Sequence, residues 1–111
     1  MLARGNRVHD GPHIGAVWKK GRRITTPFFV ASTVPTSTDS PRRFGFIVSK
    51  QVGGAVVRNR VKRQLRALAA GTVAHERYGA DTVIRATPSS ATASFDDLAH
   101  YWAEVFGQGS R

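Results

Sequence analysis

The segment from Val57 to Ala70 leaves few options for the chain around it. At the ~100° per residue of an α-helix, Val57, Val61, Leu65 and Leu68 fall within about 80° of one another, the width of a core-facing stripe. Asn59, Lys62, Arg63 and Arg66 fall on the opposite side, and Arg58 and Arg60 flank it. Such a helix must bury one face and leave five cations outside. From Ser40 to His75 no acidic residue relieves them. Solvated helix faces normally mix signs, because like-charge neighbours cost roughly a few tenths of a kcal/mol each and opposite pairs help. Unrelieved repulsion makes sense where phosphates complete the pairs.

Charge along the rest of the chain points the same way. Its 111 residues carry 17 Lys+Arg against 7 Asp+Glu, a net of +10. Residues 11–75 hold twelve of those bases and a single acid, Asp39. A polyanion is the expected partner: nucleic acid before an anionic membrane, since a membrane-surface helix needs a greasy face with no core duty. No cysteine is present, which excludes disulfides, thiolate zinc sites and cysteine nucleophiles. No apolar run approaches the ~18 residues of a membrane span, and no signal-peptide core follows the basic N-terminus, so a cytoplasmic location is expected. The length fits one domain, residues 1–111, read as a single RNA-binding unit.

The remaining elements follow from local chemistry. Asp10 as N-cap and Pro12 in the first turn predict a short helix from Pro12 to Lys20, stopped at Gly21. Thr25 to Val34 reads as a strand with Pro27 near its start, Pro35 to Pro41 as a loop, and Phe44 to Ser49 as a second strand. In that strand Phe44, Phe46 and Val48 share one face, and Gly45 and Ile47 the other. The basic helix is expected from Ala55 to Ala70, ended by Gly71. Ala80 to Ala86 reads as a third strand. Ser94 opens a last helix with Asp97 in capping-box spacing, and its Phe95, Leu98, Trp102, Val105 and Phe106 read as core. The order predicts an α+β two-layer sandwich, a mixed sheet backed by helices.

A protein-borne nuclease centre is not supported. Such a centre needs a general acid, a general base and usually a carboxylate cluster for metal. The imidazoles are His9, His13, His75 and His100, and Gly11-Pro12 interrupt the i,i+4 pair of His9 and His13. Asp96 and Asp97 are adjacent, so a helix points them apart, and they suit a helix N-terminus instead. No catalytic residue and no metal site is expected on this chain. A structural RNA-binding module, such as a small ribosomal protein, would share this composition.

The run SKQVGGAVVRNRVKRQLR, Ser49 to Arg66, closely resembles the signature of the bacterial ribonuclease P protein family. Asn6-Arg7-Val8, the spacing of Ile14, Val17, Trp18 and Gly21, FGFIVSK and TVIRATP extend the resemblance over almost the whole chain. It implies an α–β sandwich with a left-handed β–α–β crossover through the basic helix. It also implies a role in removing the 5′ leader of precursor tRNA within a ribonucleoprotein, with no DNA and no membrane partner. The chemistry is then expected on the ribonuclease P RNA, with Mg2+ held mainly by that RNA and no cofactor on the protein alone. By position, Arg58, Asn59, Arg60, Lys62, Arg63 and Arg66 are implied to face the RNA subunit. Ile14, Trp18, Val30, Ser32, Ser49 and Lys50 are implied to line a cleft for the single-stranded leader, where a ring beside cations holds bases without sequence readout. Three departures stand out: Ile14 where the family commonly has Phe, Gln51 where it has Lys, and Arg85 before Ala86 where it has Ala then Arg. Strand alternation sends this Arg to the opposite face.

Overall fold

The computed structural model describes residues 2–107. The other residues of the expected 1–111 unit lie outside the described residues. Helix α1, Gly11–Lys20, begins one residue earlier than expected, with the Asp10 carboxylate accepting the His13 N–H at 2.7 Å and Pro12 in the first turn. The chain then forms a hairpin rather than the single strand expected from Thr25 to Val34. Strand β1, Arg22–Thr25, pairs antiparallel with β2, Phe29–Pro35. Pro27 has no N–H to give a ladder, and the Thr26 hydroxyl closes the turn, donating to the Phe29 carbonyl at 2.8 Å and accepting its N–H at 3.0 Å. Strand β1 is fully exposed and basic, as edge strands often are; that polarity hid it from hydrophobic patterning.

Strands β3, Arg43–Ile47, and β4, Ala80–Ala86, complete a sheet in the order β1-β2-β4-β3. Strand β4 runs antiparallel to β2 and parallel to β3, so the sheet is mixed, and the basic helix is the β3-to-β4 crossover. That helix, α2, spans Ala55–His75. It runs through Gly71, where the sequence predicts a stop. The last turn is held by tertiary contact: Thr72 is buried, and its hydroxyl accepts the Trp102 indole N–H at 2.8 Å. Gly71 itself points into open space, with nothing within 4 Å of a Cβ built there. Gly71→Ala should therefore stabilise the protein by roughly 1 kcal/mol, the helix-propensity difference. Urea unfolding of the two proteins measures it; a destabilised variant would place this turn outside the helix.

Helix α3, Phe95–Phe106, opens with the expected capping box between Ser94 and Asp97. The registers sort the sheet into two faces. Phe29, Ala31, Phe44, Ile84 and Ala86 pack against Val61, Leu65 and Ala69 of α2 and Leu98 and Trp102 of α3. Phe95, expected in the core, is 43% exposed at the first turn of α3. The α+β sandwich is as expected, and α1 adds a partial layer on the second face, above Ser32, Val83 and Gly45. It approaches so closely that a Cβ on Gly21 would lie 2.1 Å from Ser32 Oγ, and one on Gly45 3.2 Å from Ile14.

Candidate nucleic-acid interface

Helix α1 is pinned to the second sheet face at both ends. Near its C-terminal end the Ser32 hydroxyl reaches the carbonyls of Val17 and Trp18, at 3.0 and 3.2 Å. Near its N-terminal end the buried Asp81 carboxylate accepts two bonds from Arg43, at 2.9 and 2.7 Å, with His13 Nε2 3.2 Å away. The hydrogen bond to Asp81 raises the Arg43 pKa above its ordinary value. These contacts set where the α1 side chains stand over the sheet.

The five cations of α2 carry no ion pair among the described residues. Among the described residues the ion pairs are His13–Asp81, Arg43–Asp81 and His100–Glu104, none of them on this helix. Asn59 and Arg63 are exposed, while Arg58, Arg60, Lys62 and Arg66 are half-buried. The Nε atoms of Arg58 and Arg66 are shielded yet have no protein acceptor. Arg60 differs: its guanidinium donates to the Ala91 carbonyl in the short 3-10 helix Pro88–Thr92. The family resemblance implies only an RNA-facing role for it, yet it also ties α2 to that turn.

Two cavities flank α1. The larger, about 260 Å³, lies between α1, the β3 edge and α2, and is lined by Arg7, Val8, His9, Ile14, Phe44, Gly45, Phe46, Lys62 and Arg66. The smaller, about 140 Å³, is lined by Trp18, Val30, Ser49, Gln51, Arg85, Ala86, Thr87 and Pro88. The structure thus brings Trp18, Val30 and Ser49 to one cavity. Ile14 opens instead onto the larger cavity, beside Lys62 and Arg66. Lys50 is exposed and lies outside both linings. Ser32 does not line a cleft. It is fully buried, because its hydroxyl is spent beneath the last turn of α1.

The reading by position missed Arg23. On β1 it faces α1, in register with Ser32, and its guanidinium lies 4.4 Å from the Trp18 ring centroid. Arg85 does face α1, as alternation predicts, and sits 5.8 Å from the same ring. Period-2 alternation in β1 would have exposed Arg23 had that strand been recognised. Arg42, by contrast, is buried against Phe44 and Phe106 at 5.0 and 5.7 Å, and burial lowers its pKa. Among the described residues no group of three or more His, Asp or Glu is arranged to hold a metal ion. Asp10 caps α1 and Asp81 is engaged by Arg43 and His13, so their carboxylates already have partners. No helix is long and apolar enough to cross a membrane among the described residues.

The division of labour on α2 separates two variants. Arg63→Ala should weaken binding to an RNA partner by roughly 1–3 kcal/mol, the scale of a charged hydrogen bond, and leave folding stability within ~0.5 kcal/mol. Arg60→Ala should also lose about 1 kcal/mol of folding stability with its bond to Ala91. Filter binding and urea unfolding of both proteins test this; equal stabilities would mean that the Ala91 contact contributes nothing.

Comparison with known proteins agrees with this architecture. The profile described as Ribonuclease P matches residues 2–109. The ribonuclease P protein component of Clavibacter michiganensis is 40% identical over 111 residues, covering 100% of this chain and 98% of that one. Its counterpart from Kocuria rhizophila is 46% identical over 99 residues, covering 89% and 87%. Among solved structures, the Staphylococcus aureus ribonuclease P protein superposes with a TM-score of 0.79 at 26% identity, covering 93% of this chain and 99% of that one. The Thermotoga maritima protein shares the fold, with a TM-score of 0.72 at 20% identity over 83% and 86%. The small ribosomal protein considered from composition is not favoured by any of these. With its mixed four-stranded sheet, its acid-free crossover helix and a profile match over nearly its full length, the chain belongs to the ribonuclease P protein family.

Proposed function

We propose that this chain is the cytoplasmic RNA-binding subunit of a ribonuclease P holoenzyme, in which a ribonuclease P RNA carries out the removal of the 5′ leader from precursor tRNA. The observation that carries this is the row of α2 cations without a carboxylate partner among the described residues, together with a small cleft lined by Trp18. Arg58, Asn59, Arg60, Lys62, Arg63 and Arg66 supply donors to RNA phosphates. The Trp18 cleft, lined also by Val30 and Ser49, receives the unpaired leader strand. The protein's own part is to neutralise phosphates and hold the leader in position. Mg2+ belongs to the RNA in this reading, and no step runs through a protein-bound metal.

The test is leader removal from a precursor tRNA at low magnesium, in three reactions: protein alone, a bacterial ribonuclease P RNA alone, and both together. Cleavage only in the mixture is the expected result. Cleavage by the protein alone would overturn the division of labour. RNA binding without cleavage in any reaction would restore the structural RNA-binding module.

A further inference from the structure

We propose that Asp81 is a positioning residue for substrate recognition: through Arg43 and His13 it fixes the N-terminal half of α1, and with it the placement of Ile14 and Trp18. This role rests on the leader reading given above and concerns what holds the helix rather than what the helix binds. Helix α1 has little apolar grip of its own. It is ten residues long, too short to persist alone, and Val17 is its one buried residue. Polar contacts at its two ends make up the difference. At the C-terminal end these are the Ser32 hydroxyl and the close approach of the chain at Gly21. At the N-terminal end they converge on Asp81.

Asp81 is the only buried acidic residue among the described residues, and it lies cross-strand from Arg43. Arg43 grips both carboxylate oxygens, and His13 Nε2 stands 3.2 Å from Oδ2, the oxygen that Arg43 Nη2 also holds. Helix α1, β3 and β4 therefore meet on one carboxylate. A buried ion pair contributes little net stability, because desolvation offsets most of the attraction. What it supplies is direction. A two-pronged guanidinium–carboxylate contact has one good geometry, so His13 meets Oδ2 in one place. Ile14 follows His13 in the chain and packs so closely over β3 that a Cβ on Gly45 would lie 3.2 Å from it. Trp18 stands about one and a half turns farther along the same helix. Without the Asp81 charge, α1 stays tethered at Ser32 and its N-terminal half is released from the sheet.

The experiment uses reconstituted holoenzyme for binding and kinetics, and the full chain for fluorescence. Asp81→Asn should raise KM for a precursor tRNA roughly five- to tenfold through misplacement of α1, with kcat within about twofold. Affinity for mature tRNA and for the RNA subunit should not change. Acrylamide quenching of Trp18 should change in the folded variant, while the buried Trp102 stays protected. His13→Ala, at a half-buried position, should shift KM the same way by roughly two- to threefold. Arg43→Lys, which keeps the charge, should recover most of what Arg43→Met loses. Should Asp81→Asn fail to fold, His13→Ala and the two Arg43 variants carry the same test. If the variants lower only the unfolding midpoint, leaving Trp18 quenching and KM as in the wild type, Asp81 merely stabilises the fold and the proposal is wrong. Equal losses for precursor and mature tRNA, or weakened RNA-subunit binding, would also overturn it. A wild-type holoenzyme with no preference for precursor over mature tRNA would sink the leader reading itself, and the positioning role with it.

Discussion

Replacing Trp102 by alanine is expected to cost about 3–5 kcal/mol of folding stability. The indole is 3% exposed and is the hub of the core, with ring centroids 5.7 Å from Phe29, 5.7 Å from Phe44 and 4.5 Å from Phe106. It joins three elements at once: the sheet through the two phenylalanines, α2 through its bond to Thr72, and its own helix through Phe106. Truncation leaves a large cavity and strands the buried Thr72 hydroxyl, whose remaining contact, to the Leu68 carbonyl, is long at 3.5 Å. Domains of this size have only about 5–15 kcal/mol in total, so much of the margin goes with one side chain. Trp102→Phe keeps most of the packing and should lose only ~1–2 kcal/mol, mainly the hydrogen bond. Urea unfolding of the two variants separates packing from bonding. A loss below about 1 kcal/mol for the alanine variant would show that α3 does not pack on the sheet in this way.

The affinity of the chain for ribonuclease P RNA is expected to fall steeply with salt. If the five α2 cations each neutralise one phosphate, the log–log slope is about −3.5 to −4.5. Between about 50 and 200 mM salt that is a loss of roughly one hundred- to five hundredfold. The structure supports counting all five, because among the described residues none of them forms an ion pair that binding would first have to break, and only Arg60 is held by a protein hydrogen bond, to the Ala91 carbonyl. Titrations at several salt concentrations measure the slope directly. A slope shallower than about −1.5 would mean that at most two of the cations meet phosphates and that the helix face is mainly solvated.

Features whose cause lies within a few neighbouring residues were legible in advance. The Asp10 cap, the Ser94–Asp97 capping box, the bounds of β4 and the polarity of α2 all depend on short-range spacing, and each stands as expected. Features whose cause is distant in sequence were not. The end of α2 moved from Gly71 to His75 because Trp102, thirty residues away, bonds to Thr72. The predicted strand from Thr25 split into a hairpin because one hydroxyl and one proline close a turn that hydrophobic patterning does not register. Phe95 belongs to the apolar stripe of α3 by spacing, yet stays 43% exposed at the first residue of that helix.

The candidate site divides along the same line. That α2 must present cations with no carboxylate on the same helix follows from the sequence by itself, because helical periodicity and the lack of any acid from Ser40 to His75 exclude pairs within it; that no distant acid among the described residues reaches them was decided by the fold. Which residues meet Trp18 depends on the pairing of β1, β2 and β4, on the close approach of α1 allowed at Gly21, and on the Ser32 hydroxyl that draws it down. Tertiary structure alone buried Ser32, moved Ile14 to the neighbouring cavity and brought Arg23 and Arg85 to one ring. Those contacts join residues from separate strands, and no periodicity within a single segment carries that information.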